Sequence, residues 1–175
     1  MKIVCFGDSN TYGYDPRGYF GGQYDYPWPE ILSKNLNRTV LNWGENGREI
    51  PTQTVDFPAD TDLLIIMLGT NNLLQFESPN IVCEKMKLFL ESLTLDRRKI
   101  LLVAMPPVKF GEWVHDQQMI DNSIVLAKHY NALTGRLGIR FADAGEWNIP
   151  LAFDGVHLTE EGHRVFAERL LEYVI

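Results

Sequence analysis

The sequence predicts a three-layer α/β/α fold built on a parallel sheet of about five strands. Short, continuously apolar runs recur through the whole chain, and segments with helical spacing separate them. Strands that are apolar on both faces are typical of a parallel sheet covered by helices on both sides. The chain has 175 residues without repeats or low-complexity stretches, so one domain over residues 1–175 is expected.

Five apolar runs of four to six residues predict the strands. They are Lys2–Phe6, Thr39–Asn42, Leu63–Leu68, Ile100–Met105 and Ile139–Ala142. The longest unbroken apolar run contains six residues. A bilayer span needs about 20, so no membrane helix is predicted.

Four segments carry apolar residues at the spacing of a helix that packs on one face. The first three are Trp28–Leu36, Asn80–Leu95 and Gln117–Leu137. The last helix follows Thr159, a good N-cap, and acidic residues in its first turn complement the helix dipole.

The charge and cysteine content exclude several classes of partner. Lys and Arg number 16 against 23 Asp and Glu, which gives a net charge of −7. An acidic chain without a basic run is not typical of proteins that bind nucleic acid or an anionic membrane.

Cys5 and Cys83 belong to no metal-binding motif, which indicates free thiols in a reducing compartment. Because the N-terminus lacks the plan of a signal peptide, a cytoplasmic location is expected.

Small and polar residues concentrate directly after the predicted strands. Ligands of open α/β sheets bind at the carboxyl ends of the strands, so these segments form the candidate site. The segments are Gly7-Asp8-Ser9-Asn10-Thr11, Trp43-Gly44-Glu45-Asn46-Gly47-Arg48, Gly69-Thr70-Asn71-Asn72, Pro106-Pro107 and Asp154-Gly155-Val156-His157.

Gly7-Asp8-Ser9 has three interpretations. It fits an ordinary strand-to-helix turn, and it fits a phosphate cradle, because amides at a helix N-terminus attract anions. In the third interpretation Ser9 is a nucleophile. A serine hydroxyl is weak at neutral pH, so that role requires a base within hydrogen-bond distance.

His157 is the candidate base. Asp154 lies three residues before it, a spacing that lets a carboxylate reach one ring nitrogen while the other points outward. His115 and His129 fit ordinary surface or core positions. His163, one turn into the last helix, is expected to be exposed.

Asn71 and Gly47 match a further requirement of acyl transfer, which is hydrogen-bond donors for a developing oxyanion. An amide side chain directly after a buried strand is placed to donate into the cleft. A glycine lets its backbone N–H approach more closely than a residue with a Cβ would allow. The amide of Ser9 is a third donor. The plainer interpretation of the Asn71 segment is a polar turn with an Asx hydrogen bond.

Four of these segments together resemble the blocks of the SGNH, or GDSL-type, esterases and acyltransferases. The blocks match at Gly7-Asp8-Ser9, Asn42-Trp43-Gly44-Glu45-Asn46-Gly47, Gly69-Thr70-Asn71-Asn72 and Asp154-Gly155-Val156-His157. They follow in the family's order, and the similarity is strongest to small bacterial arylesterase or acyltransferase-like members. The second block contains two glycines, Gly44 and Gly47, and the alignment of the block favours Gly47.

The resemblance implies a flavodoxin-like SGNH hydrolase fold and a serine hydrolase that cleaves or transfers small acyl groups. It assigns Ser9 as the nucleophile, with Asp154 and His157 completing the triad. It assigns Gly47 and Asn71 as oxyanion donors. No cofactor and no metal are implied, and the partner is a small acyl ester.

The sequence departs from the family pattern at two positions. Asn72 stands where the family usually has Asp, at a position that stabilises the loop rather than taking part in catalysis. Asn10 replaces a commoner Leu, and with Tyr12 and Tyr14 it is expected to shape the acyl pocket.

Other functions stay open at this point. Asp8, Asn71, Asp154 and His157 are residue types that ligate divalent metals in phosphoesterases. A non-catalytic ligand-binding domain would keep the fold, although the intact triad argues against it. A scaffolding protein could use the aromatic residues of the segment 15–28 as an interface, but these more simply wall the cleft or form a contact in a homo-oligomer. They are Tyr19, Phe20, Tyr24, Tyr26 and Trp28.

Overall fold

In the computed structural model, which describes residues 1–18 and 21–174, the described chain forms seven strands and six α-helices. In chain order they are β1 (Lys2–Gly7), α1 (Ser9–Tyr12), β2 (Tyr14–Asp15), β3 (Gly22–Gln23), α2 (Trp28–Leu36), β4 (Thr39–Gly44), β5 (Leu63–Met67), α3 (Thr70–Leu74), α4 (Pro79–Ser92), β6 (Ile100–Ala104), α5 (Gln117–Leu137), β7 (Arg140–Asp143) and α6 (Glu160–Leu170). Short 3-10 helices lie at Arg97–Lys99, Ala144–Trp147 and Leu171–Tyr173.

Five of the strands form one parallel sheet in the order β4-β1-β5-β6-β7. The order reverses at β1, because the chain first moves outward to β4 and then returns to β5 on the other side. Loops that leave β1 and β5 therefore diverge at their carboxyl ends and leave a crevice, as in flavodoxin-like sheets. This topology confirms the predicted fold class. The strands β2 and β3 form a separate two-stranded antiparallel hairpin.

Alternate side chains of each central strand enter two separate cores, which explains why the runs are continuously apolar. One face packs against α4 and α5, and its buried residues include Val4, Leu64, Leu102, Met86 and Tyr130. The other face packs against α2 and α6, and its buried residues include Ile3, Ile65, Leu101, Trp28 and Phe166.

The predicted helices Trp28–Leu36 and Gln117–Leu137 have the predicted bounds. The helix predicted over Asn80–Leu95 is α4, which ends three residues earlier because Leu93 already has extended backbone angles. Thr159 caps α6 as predicted, since its hydroxyl accepts the amide hydrogen of Gly162 at 2.9 Å. None of the described helices is long and apolar enough to cross a membrane.

The prediction that His163 is exposed was wrong. Its side chain has no exposed surface, because α6 turns this position toward α2. The Nδ1 atom accepts the amide hydrogen of Trp28 at 3.3 Å, and the ring packs edge-on against Tyr24.

Candidate active site

Ser9 is the first residue of α1 and follows a tight turn at the end of β1. Only glycine fits at position 7, because a Cβ there would lie 2.8 Å from the backbone carbonyl oxygen of Met67 and 2.1 Å from the Oγ1 atom of Thr11. Asp8 caps α1 by accepting the amide hydrogen of Asn10 at 2.9 Å. The turn thus presents Ser9 at the carboxyl edge of the sheet with 8% of its surface exposed.

A chain of two side-chain hydrogen bonds joins Ser9 to His157 and Asp154. The Oγ atom of Ser9 is 3.0 Å from Nε2 of His157, and Nδ1 of the same ring is 2.6 Å from Oδ2 of Asp154. All three residues are buried. The structure therefore brings together three residues that the sequence predicted as a triad, although they are separated by up to 148 positions.

The Asp154 carboxyl is held in its ionised form. Burial alone would raise its pKa, but hydrogen bonds from the His157 ring and from two backbone amides outweigh that effect and lower the pKa below its ordinary value. The amides are those of Val156 and His157, at 2.9 and 3.0 Å from Oδ1. A charged carboxylate at this place fixes the orientation of the imidazole and stabilises an imidazolium.

The loop that carries Asp154 packs against the segment that follows β6. A Cβ on Gly155 would lie 2.0 Å from the carbonyl oxygen of Lys109, so only glycine allows this approach. The amide of Trp113 donates to the carbonyl of Asp154 at 3.1 Å. The loop is therefore fixed from outside as well as by its own hydrogen bonds.

Two aromatic rings lie against the His157 imidazole. Tyr14 is 4.6 Å away between ring centroids, and Trp113 approaches edge-on at 5.0 Å. Tyr14 was predicted to shape the acyl pocket, and this role stays a prediction. Trp113 was missed, because it lies in a segment without a motif or a periodic pattern, and no sequence signal marked it.

Asn71 lies in the first turn of α3, directly after β5. Its Nδ2 atom donates to the carbonyl of Arg48 at 3.0 Å. The Arg48 guanidinium in turn donates to the carbonyl of Gly7 at 2.9 Å. Arg48, the residue after the second sequence block, thus links the third block to the first. Among the residues described, the second N–H of the Asn71 amide makes no hydrogen bond.

The two glycines of the second block have different surroundings. The amide of Gly44 donates to Oδ1 of Asn42, and a Cβ on Gly44 would lie 2.0 Å from the backbone nitrogen of Tyr12. Gly44 therefore serves the close packing of β4 against α1. Gly47 has a φ of +75°. Apart from its two chain neighbours, no described residue has an atom within 4 Å of a Cβ built there, and the Gly47 amide donates to no described residue. Of the two, only Gly47 has an amide free to meet a ligand.

Asn72 is fully buried and holds the loop before β5 in place. Its Oδ1 atom accepts the amide hydrogen of Ile50 at 3.0 Å, and its Nδ2 atom donates to the carboxylates of Glu49 and Glu77 at 3.2 Å each. This contact pattern matches the loop-stabilising role predicted for it. An Asp at this position would face two other carboxylates, which explains why the chain has the amide here.

The prediction that Asn10 shapes the acyl pocket was wrong. Its side chain is 1% exposed and its amide bonds to backbone groups of Val156 and Leu158. The side chain therefore points into the protein and not into the cleft. For Tyr12 the role in the pocket stays a prediction.

The aromatic residues near the first block were interpreted as a cleft wall or an oligomer contact. This was wrong for Trp28, which lies in the core 4.9 Å from the ring of Phe166, and for Tyr24, which is also buried. Tyr26 is exposed. Tyr19 and Phe20 lie outside the described residues.

Asp8 is the other buried carboxyl near the nucleophile. Burial raises its pKa to about 6, although the amide of Asn10, His157 and Arg48 all act in the opposite direction. Its Oδ2 atom has no hydrogen-bond partner in the described part of the chain.

A groove of about 430 Å³ opens beside the Asn71 end of the site. Its lining is mainly apolar and includes Leu74, Phe76, Trp113 and Met119. A larger cavity of about 920 Å³ lies between α2 and α6, but none of the five candidate site residues is among the described residues that line it. Within residues 1–18 and 21–174, no three His, Cys, Asp or Glu side chains cluster as a metal site would require.

The chain matches one protein-family model, and many solved structures have a similar fold. A model of the GDSL-like lipase/acylhydrolase family matches residues 5–165. An aryl esterase of M. smegmatis is 25% identical over 99% of this chain and 97% of its own, with a TM-score of 0.84. No curated protein matches the chain.

Two further structures have the same fold at lower identity. A carbohydrate acetylesterase family member from Sinorhizobium meliloti is 24% identical, with coverages of 99% and 96% and a TM-score of 0.83. A member of the lipolytic protein G-D-S-L family from Veillonella parvula is 23% identical, with coverages of 98% and 97% and a TM-score of 0.70.

Proposed function

Because the chain belongs to the GDSL-like lipase/acylhydrolase family, we propose that it cleaves small acyl esters through a covalent acyl-serine at Ser9. The family resemblance drawn from the sequence blocks is confirmed, and the chain is a carboxylic ester hydrolase. The observation that carries the assignment of the residues is the buried chain of hydrogen bonds from Ser9 through His157 to Asp154, at 3.0 and 2.6 Å.

In the first half of the reaction, Ser9 attacks the ester carbonyl while Nε2 of His157 takes the hydroxyl proton. The same ring then passes this proton to the leaving alkoxide, so the alcohol departs neutral. Asp154 keeps Nδ1 protonated and Nε2 free to accept, and its negative charge stabilises the imidazolium that forms.

Three N–H donors stabilise the oxyanion of the tetrahedral intermediate. They are the backbone amides of Ser9 and Gly47 and the side chain of Asn71. Supporting this assignment, Gly47 has an amide without a partner among the described residues, and one N–H of Asn71 is equally unengaged. The other N–H of Asn71 holds the Arg48 carbonyl, which keeps the amide plane fixed before substrate arrives.

In the second half, water attacks the acyl-serine while Nε2 of His157 takes a water proton. The bond between the acyl carbon and Oγ of Ser9 then breaks, the His157 ring returns the proton to Oγ, and the acid is released. An alcohol can take the place of water and accept the acyl group instead. The apolar groove beside Asn71 supports an aryl or alkyl group as one part of the substrate. The similarity to the M. smegmatis aryl esterase supports aryl esters as the first substrates to test.

The test is a panel of aryl esters from acetate to longer chains, assayed with and without an alcohol acceptor. Wild type is compared with Ser9→Ala and with Ser92→Ala, which removes a hydroxyl that donates to the carbonyl of Phe89 in the same helix. We expect turnover by wild type and Ser92→Ala and none by Ser9→Ala. An inactive wild type would favour a non-catalytic ligand-binding domain. Activity that a chelator removes and a divalent metal restores would favour a metal-dependent phosphoesterase.

We further propose that residues 1–175 form one SGNH hydrolase domain that works in the cytoplasm. The free thiols of Cys5 and Cys83 support a reducing compartment.

A further inference from the structure

Asn10 connects the helix that carries the nucleophile to the loop that carries the base. Its Nδ2 atom donates to the carbonyl of Val156 at 3.2 Å, and its Oδ1 atom accepts the amide hydrogen of Leu158 at 2.7 Å. These two residues stand immediately before and after His157. One side-chain amide thus holds the backbone on both sides of the imidazole.

This pair of bonds is specific to an amide side chain. The carbonyl of Val156 needs a donor and the amide of Leu158 needs an acceptor, and Asn supplies both from one planar group. Because Val156 and Leu158 are buried, a Leu at position 10 would leave both backbone groups without a partner.

These two hydrogen bonds of Asn10, called the clamp from here on, link α1, which carries Ser9, to the backbone of the loop that carries His157. Asp154 and neighbouring loop residues make hydrogen bonds within the His157 loop or to the segment after β6. Between α1 and residues 154–158, the described hydrogen bonds are the Ser9–His157 contact itself and two that the Asn10 side chain makes, one as donor and one as acceptor. Since Ser9 and Asn10 are adjacent on α1, the position of one determines that of the other.

Resting on the function proposed above, we infer that Asn10 is a positioning residue that sets the distance between the Ser9 hydroxyl and the His157 ring. It acts through the loop backbone and touches neither substrate nor the reacting atoms. A displacement of about 1 Å between reacting groups can cost on the order of 10²-fold in rate. We therefore expect Asn10→Leu to lower kcat about 10²-fold with little change in KM.

The kinetic test distinguishes a positioning role of Asn10 from an effect on the shape of the acyl pocket and from a loss of protein stability. Asn10→Leu is assayed with esters of increasing acyl length, alone and combined with His157→Ala. We expect the same fold loss for every acyl length. We expect no further loss in the His157→Ala background, because Asn10 then has no base to position. Leu90→Ala, a buried change in α4 on the far side of the sheet, is the control for destabilisation and should leave kcat unchanged.

A second measurement does not depend on turnover. Hydrogen exchange at the Leu158 amide, followed by NMR, should be slow in wild type and faster in Asn10→Leu by more than in Leu90→Ala. Asn10→Ala leaves space for water at the two backbone groups, and it replaces the leucine variant if that variant does not fold.

Three results would overturn the inference. They are a rate loss that depends on acyl length, a further loss in the His157→Ala background, and equal exchange at Leu158 in wild type and Asn10→Leu. If wild type turns over no ester, the proposed function fails on its own, and the exchange result alone then supports or overturns the clamp.

Discussion

The buried imidazole of His163 should make the protein lose stability as the pH falls below about 6.5. Nδ1 accepts a backbone hydrogen bond, whereas Nε2 is buried without a partner among the residues described. Burial is the main cause that lowers the pKa of His163 from 6.5 to about 3. His157 acts in the same direction, and Asp15 acts in the opposite direction. The ring is therefore neutral in the folded protein over a range in which the unfolded chain takes up a proton.

The sign and size of the effect follow from this difference. When the unfolded state binds more protons, the free energy of unfolding rises with pH, so this contribution is fully present above pH 6.5 and is lost as the pH falls toward 3. Within this interval, each pH unit changes the free energy of unfolding by up to about 1.4 kcal/mol. Between pH 6.5 and 4.5 the loss is roughly 2–3 kcal/mol, a large share of the 5–15 kcal/mol typical of a domain.

Asp8 acts in the opposite direction. Its folded pKa of about 6 lies above the ordinary 3.8, so its contribution is present below pH 3.8 and is lost as the pH rises through 6. In wild type, the free energy of unfolding therefore changes with pH through two contributions of opposite sign. A difference between variants separates the contribution of His163 from that of Asp8.

The assay is urea unfolding of wild type and His163→Asn between pH 7.5 and 4.5. Asn retains an acceptor where Nδ1 stood and does not titrate. The stability difference between the two proteins should change by roughly 2–3 kcal/mol in favour of the variant as the pH falls from 6.5 to 4.5. His115→Asn, which replaces an exposed histidine, is the control. Parallel profiles for wild type and His163→Asn would refute the reasoning.

Three further predictions concern the site. Asn71→Ala should lower kcat about 10²–10³-fold with a smaller change in KM, whereas Asn72→Ala should mainly lower stability. Steady-state kinetics showing a raised KM and an unchanged kcat for Asn71→Ala would contradict its role as an oxyanion donor. Replacing Asp154 and His157 together should reduce kcat/KM little more than replacing His157 alone, and losses that multiply would mean that the two act independently. Gly44→Ala should lower the free energy of unfolding by about 1–3 kcal/mol or more, because its Cβ would overlap backbone of α1; an unchanged urea midpoint would argue against that packing.

Most of the fold could be predicted from the sequence because burial determines the apolar pattern. Runs such as Leu63–Met67 face two cores, and the stripe of Gln117–Leu137 faces one, so each predicts its own element. The helices α1 and α3 were not predicted, since four or five residues are too few to show a helical period. Both directly follow central strands, and they carry Ser9 and Asn71.

The site could be predicted only as far as its residues lie in short motifs. Ser9 and the Asp154–His157 pair are such residues. The environment of Asn10 depends on backbone groups about 150 residues away, and that of His163 on a helix far earlier in the chain. The local sequence pattern gives no information about these distant neighbours, so Asn10 and His163 were both assigned to the wrong surroundings.

Covalent labelling with a fluorophosphonate tests the central claim most directly. Intact mass spectrometry should show one phosphonyl group on the wild-type chain, and peptide mapping should place it on Ser9. Labelling should disappear in Ser9→Ala and become much slower in His157→Ala, since the hydroxyl then has no base. A label that remains in Ser9→Ala, or that maps to another residue, would contradict the account.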